Sequence, residues 1–232
     1  MKARIGAGKP RFEGLSLSRV RMEAMPSSCW DAVIFDYGRV LSLAPSSAEL
    51  QEFATLVGVP HPPFFEIYSA TRHDYDAGRA DFRQHWHAFA DAAGVELRPA
   101  QVERIVGMET LMWLRVNPEA LALAREIKAH GVRTAILSNI PHDLLAEVRK
   151  FSWLDEFEVK IWSCELGIVK PDPAIYRTCL DALGCPAKRT LFFDDRPNNV
   201  EAARELGMEA HIFESAQQAR AIVRAGMNVS CQ

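Results

Sequence analysis

From Asn117 onward the chain alternates between strand-like and helix-like segments, and this alternation limits its fold more than any other feature. Thr134–Leu137, Glu158–Trp162, Thr190–Phe193 and Glu209–Phe213 are short, apolar or β-rich runs of strand length. Helical spacing marks the stretches between them, around Leu144–Lys150, Pro173–Leu183 and Asn198–Leu206. Asp172 is the expected N-cap of the second of these helices and Gly184 its stop. An earlier helix opens at Asn117-Pro118, shows Leu121, Ala124 and Ile127 on one face, and stops at Gly131. Strands separated by helices cannot pair as hairpins. They pair in parallel, with right-handed crossovers and helices on both faces. Ala32-Val33-Ile34-Phe35 adds a strand at the start. The expected fold class is α/β, a doubly wound parallel sheet.

Between that first strand and Asn117 the pattern is helical throughout. Glu49–Leu56, Phe64–Ser69, Phe82–Ala93 and Gln101–Leu114 carry apolar residues three and four apart. About seventy residues exceed any ordinary connection, so the expectation is an inserted helical cap over 44–115, with 30–43 and 116–232 forming the α/β core. Residues 1–29 form a basic extension. Its first 25 residues hold six Lys and Arg against two Glu, a surplus of +4, without apolar periodicity, and are expected to be disordered.

The whole chain of 232 residues carries −3, so the remainder bears −7 and offers no attraction for nucleic acid or anionic lipid. No apolar run approaches the roughly 18 residues of a membrane span, and the first thirty residues lack the apolar stretch of a secretory signal. Five cysteines, odd in number and without a Cys-x-x-Cys pair, suggest neither a zinc site nor a disulfide framework. A cytoplasmic enzyme, monomer or homodimer, with no nucleic-acid or membrane partner is the expectation.

Ligands of open α/β sheets bind beyond the carboxyl ends of the strands. Three strands end in polar residues there: Phe35-Asp36, Leu137-Ser138-Asn139 and Phe193-Asp194-Asp195. Each alone reads as a cap for the following helix. Together they bring carboxylates to one edge, where mutual repulsion would raise their proton affinity unless a cation intervened. Magnesium prefers oxygen ligands and phosphate, so Asp36, Asp194 and Asp195 point to a magnesium and phosphoryl site. Lys170 could add a positive charge, although a lone lysine is usually solvated.

In order, Asp31-Ala-Val-Ile-Phe-Asp36-Tyr-Gly-Arg-Val-Leu41, Ile136-Leu-Ser-Asn139, Gly167-Ile-Val-Lys170-Pro-Asp-Pro173 and Phe192-Phe-Asp-Asp-Arg-Pro-Asn-Asn199 resemble the four motifs of the haloacid dehalogenase superfamily, over about residues 30–215. The resemblance implies a Rossmann-like core with a helical cap, and a magnesium-dependent phosphatase acting on a small phosphorylated metabolite, a sugar phosphate among the candidates. Asp36 matches the nucleophile that becomes an aspartyl phosphate. Ser138 matches the group that hydrogen-bonds the phosphoryl, assisted by Asn139, and Lys170 matches the charge-neutralising lysine. Magnesium would be held by Asp36, the Gly38 carbonyl, Asp195, and Asp194 directly or through water, with Asn199 as an orienting group.

The sequence departs from the family at Gly38, where most of its phosphatases place an aspartate that protonates the leaving oxygen. A subgroup with Phe-Asp-x-Gly-x-Val here, acting on anomeric sugar phosphates, is the nearer likeness. General acid catalysis is worth about 10² to 10⁴ in rate, so the substitution bears on efficiency. The competing readings are a 2-haloacid dehalogenase, a phosphoacceptor signalling module and an impaired phosphate-binding protein. Elsewhere, His85 and His87 do not share a helix face and make a poor metal pair. His73 lies in a loop that the resemblance places near the site, as surface histidine or surrogate acid. Trp86, Met112 and Trp113 read as cap core. Tyr37 and Arg39 flank the metal turn, and Arg196 reads as a solvated helix-entry residue.

Overall fold

The computed structural model describes residues 29–60 and 63–227. The expectation for the basic N-terminal extension falls outside them, apart from Cys29. Five strands form one sheet: β1 (Ala32–Phe35), β2 (Arg133–Ser138), β3 (Val159–Trp162), β4 (Thr190–Asp194) and β5 (Glu209–Ile212). Their order is β3-β2-β1-β4-β5, and every pairing is parallel. β1 lies at the centre, with Phe35 level with Ile136 on one side and Phe193 on the other. All four of its residues are fully buried, which explains a continuous apolar run rather than an alternating one.

Alternate residues of the strands serve two cores. On one face Val33, Phe35, Ile136 and Phe193 pack against α6 (Pro118–Ala129), α7 (His142–Val148) and α11 (Ala216–Met227). On the other, Ile34, Leu137 and Phe192 meet Ile175, Tyr176 and Cys179 of α9 (Pro173–Leu183) and Val200 and Ala203 of α10 (Pro197–Glu205). Asn117 caps α6 and Asp172 caps α9 through their side chains, as their positions before a proline anticipate. The sequence reading did not extend to α11, although Ala216, Ala219, Val223 and Met227 mark its buried face.

Between β1 and α6 stand α1 (Ser47–Val57), α2 (Pro63–Ala70), α3 (His73–Asp76), α4 (Phe82–Ala93) and α5 (Pro99–Trp113). α1, α2, α4 and α5 enclose a separate apolar cluster that includes Phe53, Phe64, Trp86, Phe89 and Ile105. The chain enters and leaves this helical block through paired linkers. Ser42 bridges Val116, Leu43 N donates to Arg115 O at 2.7 Å, and Asn117 N donates to Leu41 O at 2.8 Å.

A second seam joins the block to the sheet domain where α3 meets α8 (Ser163–Leu166). Tyr75 donates to Asp143 Oδ2, Ser163 Oγ donates to Asp76 O, both at 2.5 Å, and Arg79 donates to Gly167 O at 2.8 Å. Gly78 allows this approach, for it has φ of +69° and a Cβ there would stand 2.5 Å from Cys164 O. α3 therefore lies fixed over the sheet edge.

Candidate active site

Strand order reverses on the two sides of β1: the chain runs outward to β2 and β3 on one side and to β4 and β5 on the other. The crevice at such a reversal is where open sheets bind ligands. Asp36 follows β1, Asp194 ends β4, and Asp195 comes next, so one carboxylate oxygen from each lies within 4.8 Å of the others. The sequence expectation that these strand ends meet is met in space.

Asp36 is 7% exposed and Lys170 4%, so the cation here is buried, contrary to the usual habit of lysine. Lys170 Nζ lies 2.8 Å from Asp36 Oδ1, 2.6 Å from Asp194 Oδ2 and 2.8 Å from Leu137 O. Its contact with Asp36 is an ion pair without hydrogen-bond alignment, which leaves Oδ1 without an aligned donor. Burial works against the Lys170 charge, but Asp194 and Asp36 outweigh it and keep the ammonium. Asp36 is pushed up to about 7, chiefly by burial, with Asp194 and Asp195 adding to the rise and Lys170 opposing it. The Asp195 carboxyl is raised as well, first by burial and then by Asp194.

Each carboxylate has its own support. Asp194, fully buried, accepts from Asn199 Nδ2 at 3.0 and 3.1 Å and from Arg196 N at 2.9 Å. Asn199 therefore orients Asp194. Asp195 is paired with Arg39 at 3.0 Å. Asn139 is engaged at both ends with the Lys170 backbone, donating to its carbonyl at 2.9 Å and accepting from its N–H at 2.8 Å. Ser138 is 1% exposed, and its hydroxyl makes one long contact of 3.4 Å to Asn139 O.

The turn after Asp36 places Arg39 at φ of +59° with Ser42 N donating to Tyr37 O at 2.8 Å. An arginine in the left-handed region costs energy, and here it carries the guanidinium back to Asp195. Gly38 has no such need of glycine. Its φ is −63° and ψ 124°, and an added Cβ would make only ordinary contacts. Three carboxylates thus share two directly paired cations, Lys170 and Arg39, with Arg196 acting on Asp195 at longer range. Their oxygen-only donor set and the poorly satisfied Oδ1 of Asp36 fit a hard divalent cation.

Asp36, Gly38, Arg39, Asn139, Lys170 and Asp195 form the floor of a cavity of about 270 Å³, with Asp194 and Ser138 behind it, and its roof is the helical block: Phe65, Tyr68, Ser69, Arg72, Asp76 and Trp113. Trp113 belongs to this wall, only partly buried, whereas Trp86 and Met112 are core as their sequence suggests. His73 does not reach the cavity. Its side chain is 67% exposed beside Asp74 and Arg79. Its neighbours Arg72 and Asp76 point inward instead, and their i, i+4 spacing was the available signal for a pair sharing one face. Tyr37 stacks on Trp153 and donates to Trp113 O at 2.8 Å, while Arg196 is exposed at the entry of α10. His85 is buried and His87 exposed, so they form no pair.

Similarity to known proteins falls on this same architecture. Two solved structures from Bacteroides thetaiotaomicron and one dehalogenase illustrate it. The HAD-family enzyme of that bacterium, in complex with magnesium and inorganic phosphate, superposes with a TM-score of 0.60 at 19% identity, over 79% of this chain and 93% of its own. Its magnesium complex gives a TM-score of 0.62. An L-2-haloacid dehalogenase gives 0.57 at 25% identity, over 78% and 83%. Among curated relatives, a sesquiterpene phosphatase of Aspergillus oryzae is 27% identical over 76% of this chain and 86% of its own. A phosphatase of Mycobacterium tuberculosis is 29% identical over 56% and 60%, and acyl-CoA dehydrogenase family member 10 of Mus musculus is 39% identical over 36% and 8%. The chain thus spans less than two thirds of the length of these last two. Among the described residues no helix is long and apolar enough to cross a membrane. Residues 30–207 match the haloacid dehalogenase-like hydrolases, and the chain belongs to that family.

Proposed function

We propose that the chain is a magnesium-dependent phosphomonoesterase, acting on a small phosphorylated metabolite through an aspartyl phosphate on Asp36. The donor set carries this reading: three clustered carboxylates, with Oδ1 of Asp36 lacking an aligned donor, offer an oxygen-only seat for a divalent ion. Displacement of halide from carbon would use Asp36 and Lys170 but leave Asp195 without a task. Asp36, Asp195, the Gly38 carbonyl and Asp194, directly or through water, would hold magnesium, which would supply Lewis-acid neutralisation of the phosphoryl oxygens.

The side chains then divide the work. An Asp36 oxygen attacks phosphorus while the bond from phosphorus to the leaving oxygen breaks. Lys170, held by Asp194 and Leu137 O, offsets the charge beside the nucleophile. Asn139 sets the position of Lys170 through its backbone, and Asn199 sets Asp194. Ser138, whose hydroxyl is held by one long contact, turns to the phosphoryl oxygens. Water next attacks the phosphoryl group, releasing phosphate and restoring the Asp36 carboxylate. The cap formed by α1–α5 covers the cavity and limits competing access of solvent.

The test is phosphate release from a panel of phosphorylated metabolites. It should vanish on chelation and return with magnesium. Undiminished release in chelator, or halide release from a 2-haloacid at a comparable rate, sinks the proposal.

A further inference from the structure

The roof of the cavity contains one cation among its described residues, and that cation is already spent. Arg72 is 7% exposed. Its Nε and Nη2 donate to Asp76, with the shortest contact 2.7 Å, and its Nη1 donates to Tyr68 Oη and Glu109 Oε1 at 2.5 Å each. At least four of the five N–H bonds of the guanidinium are thereby committed. Asp76 and Glu109, themselves 6% and 4% exposed, give the cluster a net charge of −1. It is also short of donors, since the buried Oε2 of Glu109 has none.

Around this cluster the wall is aromatic. Tyr68 and Trp113 line the cavity with Phe65, and Trp113 Nε1 donates to Tyr68 Oη at 3.3 Å. Tyr68 in turn donates to Glu109 at 2.5 Å. α3, which carries Asp76, is fastened to the sheet domain by Tyr75 and by Ser163, so Asp76 is held in place beside the Arg72 guanidinium.

We propose that this roof selects the organic part of the substrate, receiving an uncharged aromatic or hydroxylated group and rejecting one that carries a second anion. The proposal rests on the phosphatase reading of the floor. A carboxylate or second phosphate entering the roof would lose its water and meet Asp76 at the wall with Glu109 behind it, while Arg72 is already committed to both. An uncharged ring finds Phe65, Tyr68 and Trp113, and a hydroxyl finds acceptors. A monoester dianion at the floor is unaffected, because its cations belong to the floor.

Binding of two phosphonates that cannot be hydrolysed tests this directly: benzylphosphonate and its 3-carboxy derivative, titrated calorimetrically into the magnesium-loaded protein. The uncharged ligand should bind at least tenfold tighter. In Glu109→Gln, where the cluster goes from −1 to neutral and Arg72 loses one of its two carboxylate partners, the ratio of the two affinities should move at least tenfold toward the carboxylated ligand. A merely structural role for Glu109 would weaken both and leave the ratio alone. Equal or tighter binding of the carboxylated ligand by the wild-type protein overturns the proposal, as does failure of both to bind at millimolar concentration. The wild-type comparison stands even if Glu109→Gln does not fold. Phosphate release from phenyl phosphate is read in parallel. If release is absent while the binding preference holds, the phosphatase reading falls and the selectivity of the roof remains.

Discussion

Gly38 offers the most informative perturbation, because the backbone there does not require glycine. With φ of −63° and ψ of 124°, any L-residue fits. A Cβ would lie 3.8 Å from Trp113 Cζ3 and 3.9 Å from Asp36 Oδ2, ordinary van der Waals distances. Gly38→Ala should therefore fold normally and gain about 0.4–1 kcal/mol from the reduced freedom of the unfolded chain. Gly38→Asp adds a fourth carboxylate beside Asp36, so without metal it should be less stable than the alanine variant, and magnesium should narrow the difference. Its catalytic effect depends on the leaving group. A positioned acid contributes about 10² to 10⁴ in rate where the departing oxygen is a poor leaving group and little where it is a good one. The assay is kcat at saturating magnesium for a series running from alkyl to nitrophenyl phosphates. Wild type and Gly38→Ala should show the same steep dependence on leaving-group acidity. Gly38→Asp should flatten it by accelerating the alkyl esters about a hundredfold. Equal wild-type rates across the series, with chemistry rate-limiting, would show that another group already supplies the proton. An unchanged slope in Gly38→Asp, at wild-type magnesium affinity, would refute the argument from the vacant side-chain position.

Other predictions follow from the same contacts. Asp36→Asn should abolish turnover with the fold retained, and more than about a tenth of wild-type activity, a loss under 1.4 kcal/mol in barrier, would mean that water attacks directly. Lys170→Met strands the buried Asp36 and Asp194 carboxylates and should cost about 3–5 kcal/mol in urea denaturation; wild-type stability in this variant would show that the ammonium does not hold the pair. His85 is buried against Tyr75, donates from Nδ1 to Thr71 O, and has its pKa lowered to about 4, first by burial and then by Arg72, with Asp76 and Asp143 opposing. Because the folded value lies below the unfolded one, its contribution is present above about pH 6.5 and is lost as pH falls toward 4, about 3 kcal/mol in all. The difference in stability between wild type and His85→Phe should shrink by that amount over this window, and a difference independent of pH would refute the assignment.

The fold was legible because its signals are local. Ala32–Phe35 reads as a buried strand from four consecutive apolar residues, and Asn117-Pro118 and Asp172-Pro173 announce helix starts by capping chemistry alone. β2 and β4 each extend one residue further than their apolar runs, to Ser138 and Asp194, since the ladder hydrogen bonds continue into the polar residues of the site. α3 escaped notice for a different reason. Four residues carry no readable period, and its helix persists because Tyr75, Asp76 and Gly78 are held by the sheet domain.

The site divides along the same line. Its floor comes from strand ends, whose convergence follows from topology once the parallel sheet is inferred, so Asp36, Asp194 and Asp195 could be brought together without coordinates. Its roof comes from three helices whose relative placement no local signal encodes. Arg72, Asp76 and Glu109 look like solvated charges in sequence, and Trp113 like core. Arg72, Asp76 and Trp113 come to line the cavity, and Glu109 to back it, because α5 brings Glu109 onto the Arg72 guanidinium. The same logic explains His73. It is one residue from Arg72, and about 100° of helical rotation separates an inward guanidinium from an exposed imidazole. Residues that bind the phosphoryl group must lie where the sheet fixes them, which makes them readable from order and spacing. Residues that meet the rest of the substrate are placed by packing between helices, so their role emerges only from the folded structure.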